Sequence, residues 1–377
     1  MSVQVASVGM GRYGKRPEGL IALAAEAANL ALEGVGRKPI DLLVGGTMLA
    51  HGSHGPEAFL PHLASRLSLE SASGLRVDSA SGTGGMAFHA AVLALESGRF
   101  ERALVVAAEK MTDRTTAVIT RELAASLHPS EAAAGATMPA LAALVTQRYL
   151  SRYGHSAAIC DLASEHARAM AARNPNAQFQ KPVTAAEVGA SRPVALPLRL
   201  LHCSSISDGA TALVLERGQG PATVLGLGQG FDALRLSDRT DLTTFAATRT
   251  AAQRAYESAH LTRKEVEVVE VHDAFSPFVF IHIEDIGLCG PGEGVAWFEK
   301  GWARLDGRVP VNPSGGVVGR GHPVAASGLA EVAEVALQLR GEAGPHAVAR
   351  PPKVGLAHAM SGIATHNFVT ILGREGP

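Results

Sequence analysis

Apolar runs and apolar stripes alternate along the chain. Short runs of valine, alanine and leucine read as strands: ALVVAAE (103–109), GATALVLERG (209–218), VEVVEV (266–271) and KVGLAHAM (353–360). Between them lie longer Ala-rich stretches with helical spacing. Strands alternating with helices predict α/β layers, with helices covering both faces of sheets.

The pattern comes round twice. ALEGVGRKPIDLLVGG (31–46) and AYESAHLTRKEVEVVEVHD (255–273) each finish an Ala-rich helix, cross a linker holding Arg-Lys and enter an apolar strand. VDSASG (77–82) and VNPSG (311–315) each open a small-residue turn that runs toward an Ala-rich helix and then a strand. Several pairs in one order predict two similar halves, 1–220 and 221–377, divided near QGPA (219–222). The stretch 113–200 repeats less. It holds the helical LAALVTQRYLSRYG and a segment rich in Pro and Asn, and reads as a loop subdomain. An excursion of that length in a compact fold usually has a role, as a lid or a substrate-binding element.

Composition narrows the function class. Of the 377 residues 46% are hydrophobic, enough for a large core. Charged residues are 18% and the net charge is -1, which argues against a nucleic-acid or anionic-membrane partner recognised by bulk charge. No window reads as a membrane span and the N-terminal stretch lacks a leader pattern, so a cytoplasmic protein is expected. Cys160, Cys203 and Cys289 are far apart, with no CxxC pair. They predict buried thiols rather than disulfides or a zinc site.

Two turns carry candidate chemistry. NPSGGVVGRGHPVAAS puts His322 in a Gly-rich turn before a helix, and DSASGTGGM puts Ser81 in a small-residue turn before another. Glycines let backbone approach a ligand closely and take unusual dihedrals. A helix start offers free N–H groups to negative charge. His272 directly follows the strand VEVVEV, and a strand end is where α/β folds place ligands.

These residues resemble the thiolase superfamily, over nearly the whole chain. NPSGGVVGRGHPVAASG is similar to the thiolase Asn-x-x-Gly-Gly…Gly-His-Pro signature. VEVVEVHDAF is similar to the His-Asp-x-Phe loop of the sterol-carrier-like and archaeal branches. SGTGGMAFHAA and ALVVAAEKMT resemble the nucleophile turn, its helix and the next strand. NPNAQFQKPVT and PLRLLHCSSISDGATALVL resemble the loop subdomain and the return strand. The resemblance implies a five-layered αβαβα fold and a homodimer or homotetramer. It implies chemistry on a carbon–carbon bond beside a coenzyme A thioester, with acyl-CoA as substrate and no bound cofactor or metal. It places Ser81, His272 and His322 in the catalytic positions, and Asn312, Gly321, Ser361, Gly362 and Phe275 around the pocket. Relatives of the His-Asp-x-Phe branch often pair with a small OB-fold, zinc-ribbon protein.

One departure bears on mechanism. The family's nucleophilic cysteine falls on Ser81, with Ser79 as the alternative position. The second cysteine is also missing: Ala274 stands in one loop that can carry it, and the C-terminal motif reads Ala359-Met360-Ser361-Gly362. A thiol ionises near neutral pH, whereas a serine needs a positioned base. An acyl-serine ester is also more stable than the thioester that forms it, so return to CoA is uphill. Three readings follow: an atypical acyltransferase, a CoA-thioester aldolase with no covalent intermediate, or a non-catalytic partner subunit. Cys289 is an outside candidate for the nucleophile. Met111 and Met360 read as packing residues. Among the remaining histidines His51, His54, His89, His155, His202 and His358, the last is the best placed.

Overall fold

The computed structural model describes residues 2–49 and 58–374. The strands are β1 (Val3–Met10), β2 (Leu42–Gly46), β3 (Ser73–Arg76), β4 (Arg102–Glu109), β5 (Pro193–Ala195), β6 (Leu198–Arg199), β7 (Gly209–Arg217), β8 (Thr223–Phe231), β9 (Val268–Val271), β10 (Val354–Ser361) and β11 (His366–Gly373). β5 and β6 form a small separate hairpin. The others run in the order β3-β2-β4-β7-β1-β8-β11-β10-β9. A single pairing, Gln4 with Thr223, joins β1 to β8. Outward from this seam the halves have one topology: β1-β7-β4-β2-β3 on one side, β8-β11-β10-β9 on the other. The place matching β3 is taken by one parallel bridge, Val269 with Val311. The repeat seen in sequence is therefore a structural repeat, with β2 equivalent to β9 and β4 to β10.

Three apolar clusters separate the layers. The helices are α1 (Leu20–Gly34), α2 (Phe59–Leu67), α3 (Thr83–Glu96), α4 (Thr116–Ala124), α5 (Pro129–Ala133), α6 (Met138–Tyr153), α7 (Ala158–Ala171), α8 (Ala185–Gly189), α9 (Ala246–Ala259), α10 (Phe278–Asp285), α11 (Gly294–Glu299), α12 (Gly316–Arg320) and α13 (Val324–Arg340). Successive side chains of a strand point to opposite faces. On β4, Leu104, Val106 and Ala108 pack with α1 and α2. Ala103, Val105 and Ala107 pack with α3 and α13. In the second half Val269, Val271, Leu356 and Ile371 face α9 and α10, whereas Ala357 and Leu372 face the central layer. The result is αβαβα. With sheet on both sides, α13 buries every residue from Val324 to Ala336, as a helix between two sheets must.

The stretch 113–200 is more helical than its Pro and Asn content predicts, with α4 to α8 all inside it. Pro129 and Pro139 stand in the first turns of α5 and α6. There a missing N–H costs nothing, so these prolines start helices instead of breaking them. Among the described residues no helix is long and apolar enough to cross a membrane.

Candidate active site

Each half delivers side chains from strand ends and the turns that follow. β9 ends at Val271. Asn312, held at φ 51°, accepts from the Val271 N–H through Oδ1 (2.6 Å) and donates to its carbonyl through Nδ2 (3.0 Å). The side-chain amide thus stands in for a strand partner and fixes the backbone before His272. Asp273 accepts from the Val317 N–H at 2.6 Å and ties the same loop to α12. His272 is fully buried. Its N–H faces His358 Nδ1 at 3.4 Å, and its own Nδ1 lies 2.8 Å from Glu331 Oε1 on α13. Burial, with the Arg320 charge nearby, pushes this imidazole down to about 3, so it is neutral.

His322 arrives from the other turn. Gly321 precedes it at φ 108°, where a Cβ would stand 2.9 Å from Gln178 Oε1 and 3.0 Å from Ser207 Oγ. That position requires glycine. The His322 N–H donates to Ser207 Oγ (2.9 Å), and a parallel bridge to Ile206 holds the backbone. Nδ1 lies 2.8 Å from Ser327 Oγ, whose hydroxyl donates to the Pro323 carbonyl at 3.1 Å. With its proton so used, Ser327 accepts from Nδ1–H, and Nε2 of His322 is left as an acceptor. Burial, His272 and Arg320 hold the ring well below the usual histidine range. The His272 and His322 rings are 5.0 Å apart, edge to face.

Ser81 stands in the 3-10 turn Ala80–Gly82 ahead of α3. It is not the helix cap, since Gly82 holds that place without a side-chain bond. Its hydroxyl donates to the Met360 carbonyl at the end of β10 (2.8 Å). Ser79 makes a different set of contacts: Oγ lies 2.8 Å from Ser361 Oγ and 3.0 Å from His366 Nδ1. Ser361 also donates to the Ser79 carbonyl and accepts from the Gly82 N–H at 3.2 Å. Gly362 follows at φ 57°, turning β10 toward β11. Phe275 is buried and bridges Cys203, so the segment 203–207 runs beside both histidine loops.

The thiols are poor nucleophiles. Cys160 is buried as expected, whereas Cys203 and Cys289 are half-buried; loss of solvent still pushes each up to about 12. Met111 and Met360 are buried packing residues, as their type suggests. His89 bonds Thr370 (3.1 Å), His155 lies 3.3 Å from the Gly292 carbonyl, and His202 lies 2.8 Å from Asp161. His51 and His54 lie outside the described residues. Sequence reasoning missed Glu331, Ser327, Ser207 and His366. The first two had a signal: with Glu334 and Gln338 they form a polar stripe along one face of an Ala-rich, buried helix.

Comparison with known proteins fits this architecture. Residues 6–194 match the family description "Thiolase, N-terminal domain", and residues 228–374 match "Thiolase C-terminal domain-like". The chain belongs to the thiolase family. It is 40% identical to an acetyl-CoA acetyltransferase of Methanothermobacter thermautotrophicus over 309 residues, 79% of each chain. It is 31% identical to the benzoylsuccinyl-CoA thiolase subunit BbsB of Thauera aromatica over 299 residues, 76% of each. Among solved thiolase-like structures, the Ltp2-ChsH2(DUF35) aldolase superposes with a TM-score of 0.84 at 24% identity, over 99% of this chain and 98% of that one. At that identity the likeness concerns fold.

Proposed function

We propose that this thiolase-family protein makes or breaks a carbon–carbon bond beside a coenzyme A thioester, using His322 as base and His272 as donor to the thioester oxygen. The observation that carries the reading is the pair of neutral imidazoles 5.0 Å apart, one with Nε2 left as an acceptor. In the cleavage direction His322 takes the hydroxyl proton of a 3-hydroxyacyl thioester. The Cα–Cβ bond breaks, a carbonyl forms, and the electron pair moves into an enolate whose oxygen His272 holds. The proton on His322 then returns to carbon, giving the shortened acyl-CoA. No acyl-enzyme is needed.

Aldol-type chemistry is favoured over acyl transfer by the Ser81 hydroxyl, whose proton is directed at a backbone carbonyl and not at a base. Acyl transfer through Ser81 is the second reading, and the 40% identity to an acetyl-CoA acetyltransferase speaks for it. Homodimer or homotetramer assembly, a small OB-fold zinc-ribbon partner and a cytoplasmic location belong to the same reading. Product analysis separates the two chemistries. The protein is incubated with a 3-hydroxyacyl-CoA, and separately with acetoacetyl-CoA plus CoA. Acyl-CoA and a free carbonyl product from the first supports the aldolase. Acetyl-CoA from the second, lost in Ser81→Ala, supports acyl transfer. Silence in both, with and without a partner, rejects the catalytic reading.

A further inference from the structure

Glu331 lies in the middle of α13, 1% exposed, with Oε1 2.8 Å from His272 Nδ1. The approach is oblique, close in distance and off the ideal hydrogen-bond angle. The other carboxylates buried around it are supplied. Glu270 accepts from the Ser314 N–H and hydroxyl (2.9 and 2.8 Å), with the Arg320 guanidinium 3.8 Å away. Glu334 contacts Asn174 (3.2 Å) and His346 (2.8 Å). Asp273 accepts from Val317. Both carboxylate oxygens of Glu331 and both ring nitrogens of His272 have no directed hydrogen-bond partner among the described residues, so the 2.8 Å approach of Oε1 to Nδ1 is the contact they share.

Two acceptor lone pairs at this distance repel, so one of the two atoms carries a proton. The choice sets the tautomer of His272. A carboxylate would draw the ring proton to Nδ1 and leave Nε2 an acceptor. A carboxylic acid donates to Nδ1, so the single N–H of the neutral ring resides on Nε2. The groups facing the pair favour the acid. Arg320 on α12 is shared with Glu270, the His346 imidazole is engaged by Glu334, and His322, His358 and Tyr13 are neutral neighbours. The Arg320 guanidinium pulls the Glu331 carboxyl down, but burial outweighs it and holds the carboxyl well above the usual range. A site with two acceptor imidazoles could take a proton but could not hold an enolate oxygen. One acceptor, His322, and one donor, His272, can do both.

We propose that Glu331, as a neutral carboxylic acid, is a positioning residue that keeps the proton of His272 on Nε2 and so makes this ring the hydrogen-bond donor of the site. This rests on the function proposed above, but its test does not. The protein is labelled with 15N-histidine and the ring nitrogens of His272 are assigned by their loss in His272→Gln. The wild type is expected to show a protonated Nε2 and an unprotonated Nδ1. Glu331→Leu is expected to mix the two tautomers and lower kcat about ten- to hundredfold, with KM little changed. Glu331→Gln, whose amide can still donate to Nδ1, is expected to keep the tautomer and most of the rate, and it guards against misfolding of the leucine variant. A wild-type Nδ1–H tautomer, or His272 resonances unmoved in Glu331→Leu, overturns the assignment. A fixed Nε2–H tautomer without turnover of any CoA thioester counts against the proposed function and leaves Glu331 in its role.

Discussion

The two halves place a similar turn before each central helix, and the turns have diverged in what they do with their reactive side chain. Before α13, His322 is fastened at Nδ1 by Ser327 and at its backbone by Ser207, with Nε2 left open. Before α3, the Ser81 hydroxyl is spent on the Met360 carbonyl. Both turns take up left-handed backbone, at Ala80 (φ 47°) in one and at Asn312, Gly315, Gly316 and Gly321 in the other. The shared strain belongs to the fold. The difference in wiring fits the proposed chemistry, in which one turn moves a proton while the other holds a helix start against β10.

The sharpest way to break this comparison is to remove each side chain in turn. His322→Ala is expected to lower kcat about 10²- to 10⁴-fold on a 3-hydroxyacyl-CoA, the range for loss of a general base. Ser81→Ala is expected to leave that rate nearly unchanged. Equal losses in the two variants, measured under saturating substrate, would return Ser81 to the reaction path. Ser81→Cys should add thiolysis of acetoacetyl-CoA to whatever the wild type does, because a thiol at a helix start ionises far more readily than a hydroxyl.

How much of this was legible in sequence divides along the same line. The repeat and strands such as β4 and β10 followed from apolar periodicity, since these two bury both faces and so read as unbroken apolar runs, whereas the five-layer order came from the family resemblance and β1, β8 and β11 were not read. The Gly-His-Pro turn was legible because only glycine fits at Gly321. The partners were not. Ser207 is 115 residues from His322, and Ser79 is 287 from His366, so nothing local marks either pair. Within 113–200 the α6 helix was legible from its sequence, while α5 was obscured because proline means opposite things at a helix start and in a helix middle.

A packing test extends the comparison from the turns to the helices they start. A Cβ on Gly84 of α3 would come within 2.4 Å of the Leu329 nitrogen and 2.8 Å of the Ala325 carbonyl on α13. These are backbone atoms and cannot turn aside. Gly84→Ala is expected to destabilise the protein by about 1–3 kcal/mol in denaturant titration. Gly19→Ala, with open space around the added methyl, serves as the control. A Gly84→Ala protein as stable as the wild type would mean that α3 and α13 are not locked together.

Acidity offers a smaller, continuous probe of the same buried layer. His89, His272 and His358 are held down to about 3 and His166 to about 4, from an ordinary value of 6.5. Below 6.5 the unfolded chain takes up protons that these rings refuse, so their contribution is lost progressively as pH falls toward the folded values. Glu109 is raised to about 7, and Glu270 and Asp285 to about 8, so their contribution is present at low pH and lost as pH rises through those values. The two sets oppose each other between 4.5 and 6.5, the unperturbed values of Glu and His. Thermal melts should therefore show a broad maximum in that window and a decline on either side. A Tm that climbs steadily from pH 5 to pH 8 would show that the buried carboxylates are ionised at neutral pH.

The smallest expected effect tests which serine matters. Ser79 bonds Ser361 and His366, and burial holds the His366 ring down to about 4, neutral at physiological pH. A neutral hydrogen bond of this kind contributes about 1 kcal/mol net, so Ser79→Ala is expected to shift the unfolding midpoint slightly and leave turnover alone. The arrangement has one feature that Ser81 lacks, a hydroxyl within reach of an imidazole. Should Ser79→Ala abolish turnover while Ser81→Ala spares it, the contrast between the turns would change its meaning. Both would then carry a working reactive side chain, and the serine of the first half would sit two residues nearer the N-terminus than the family's pattern places it.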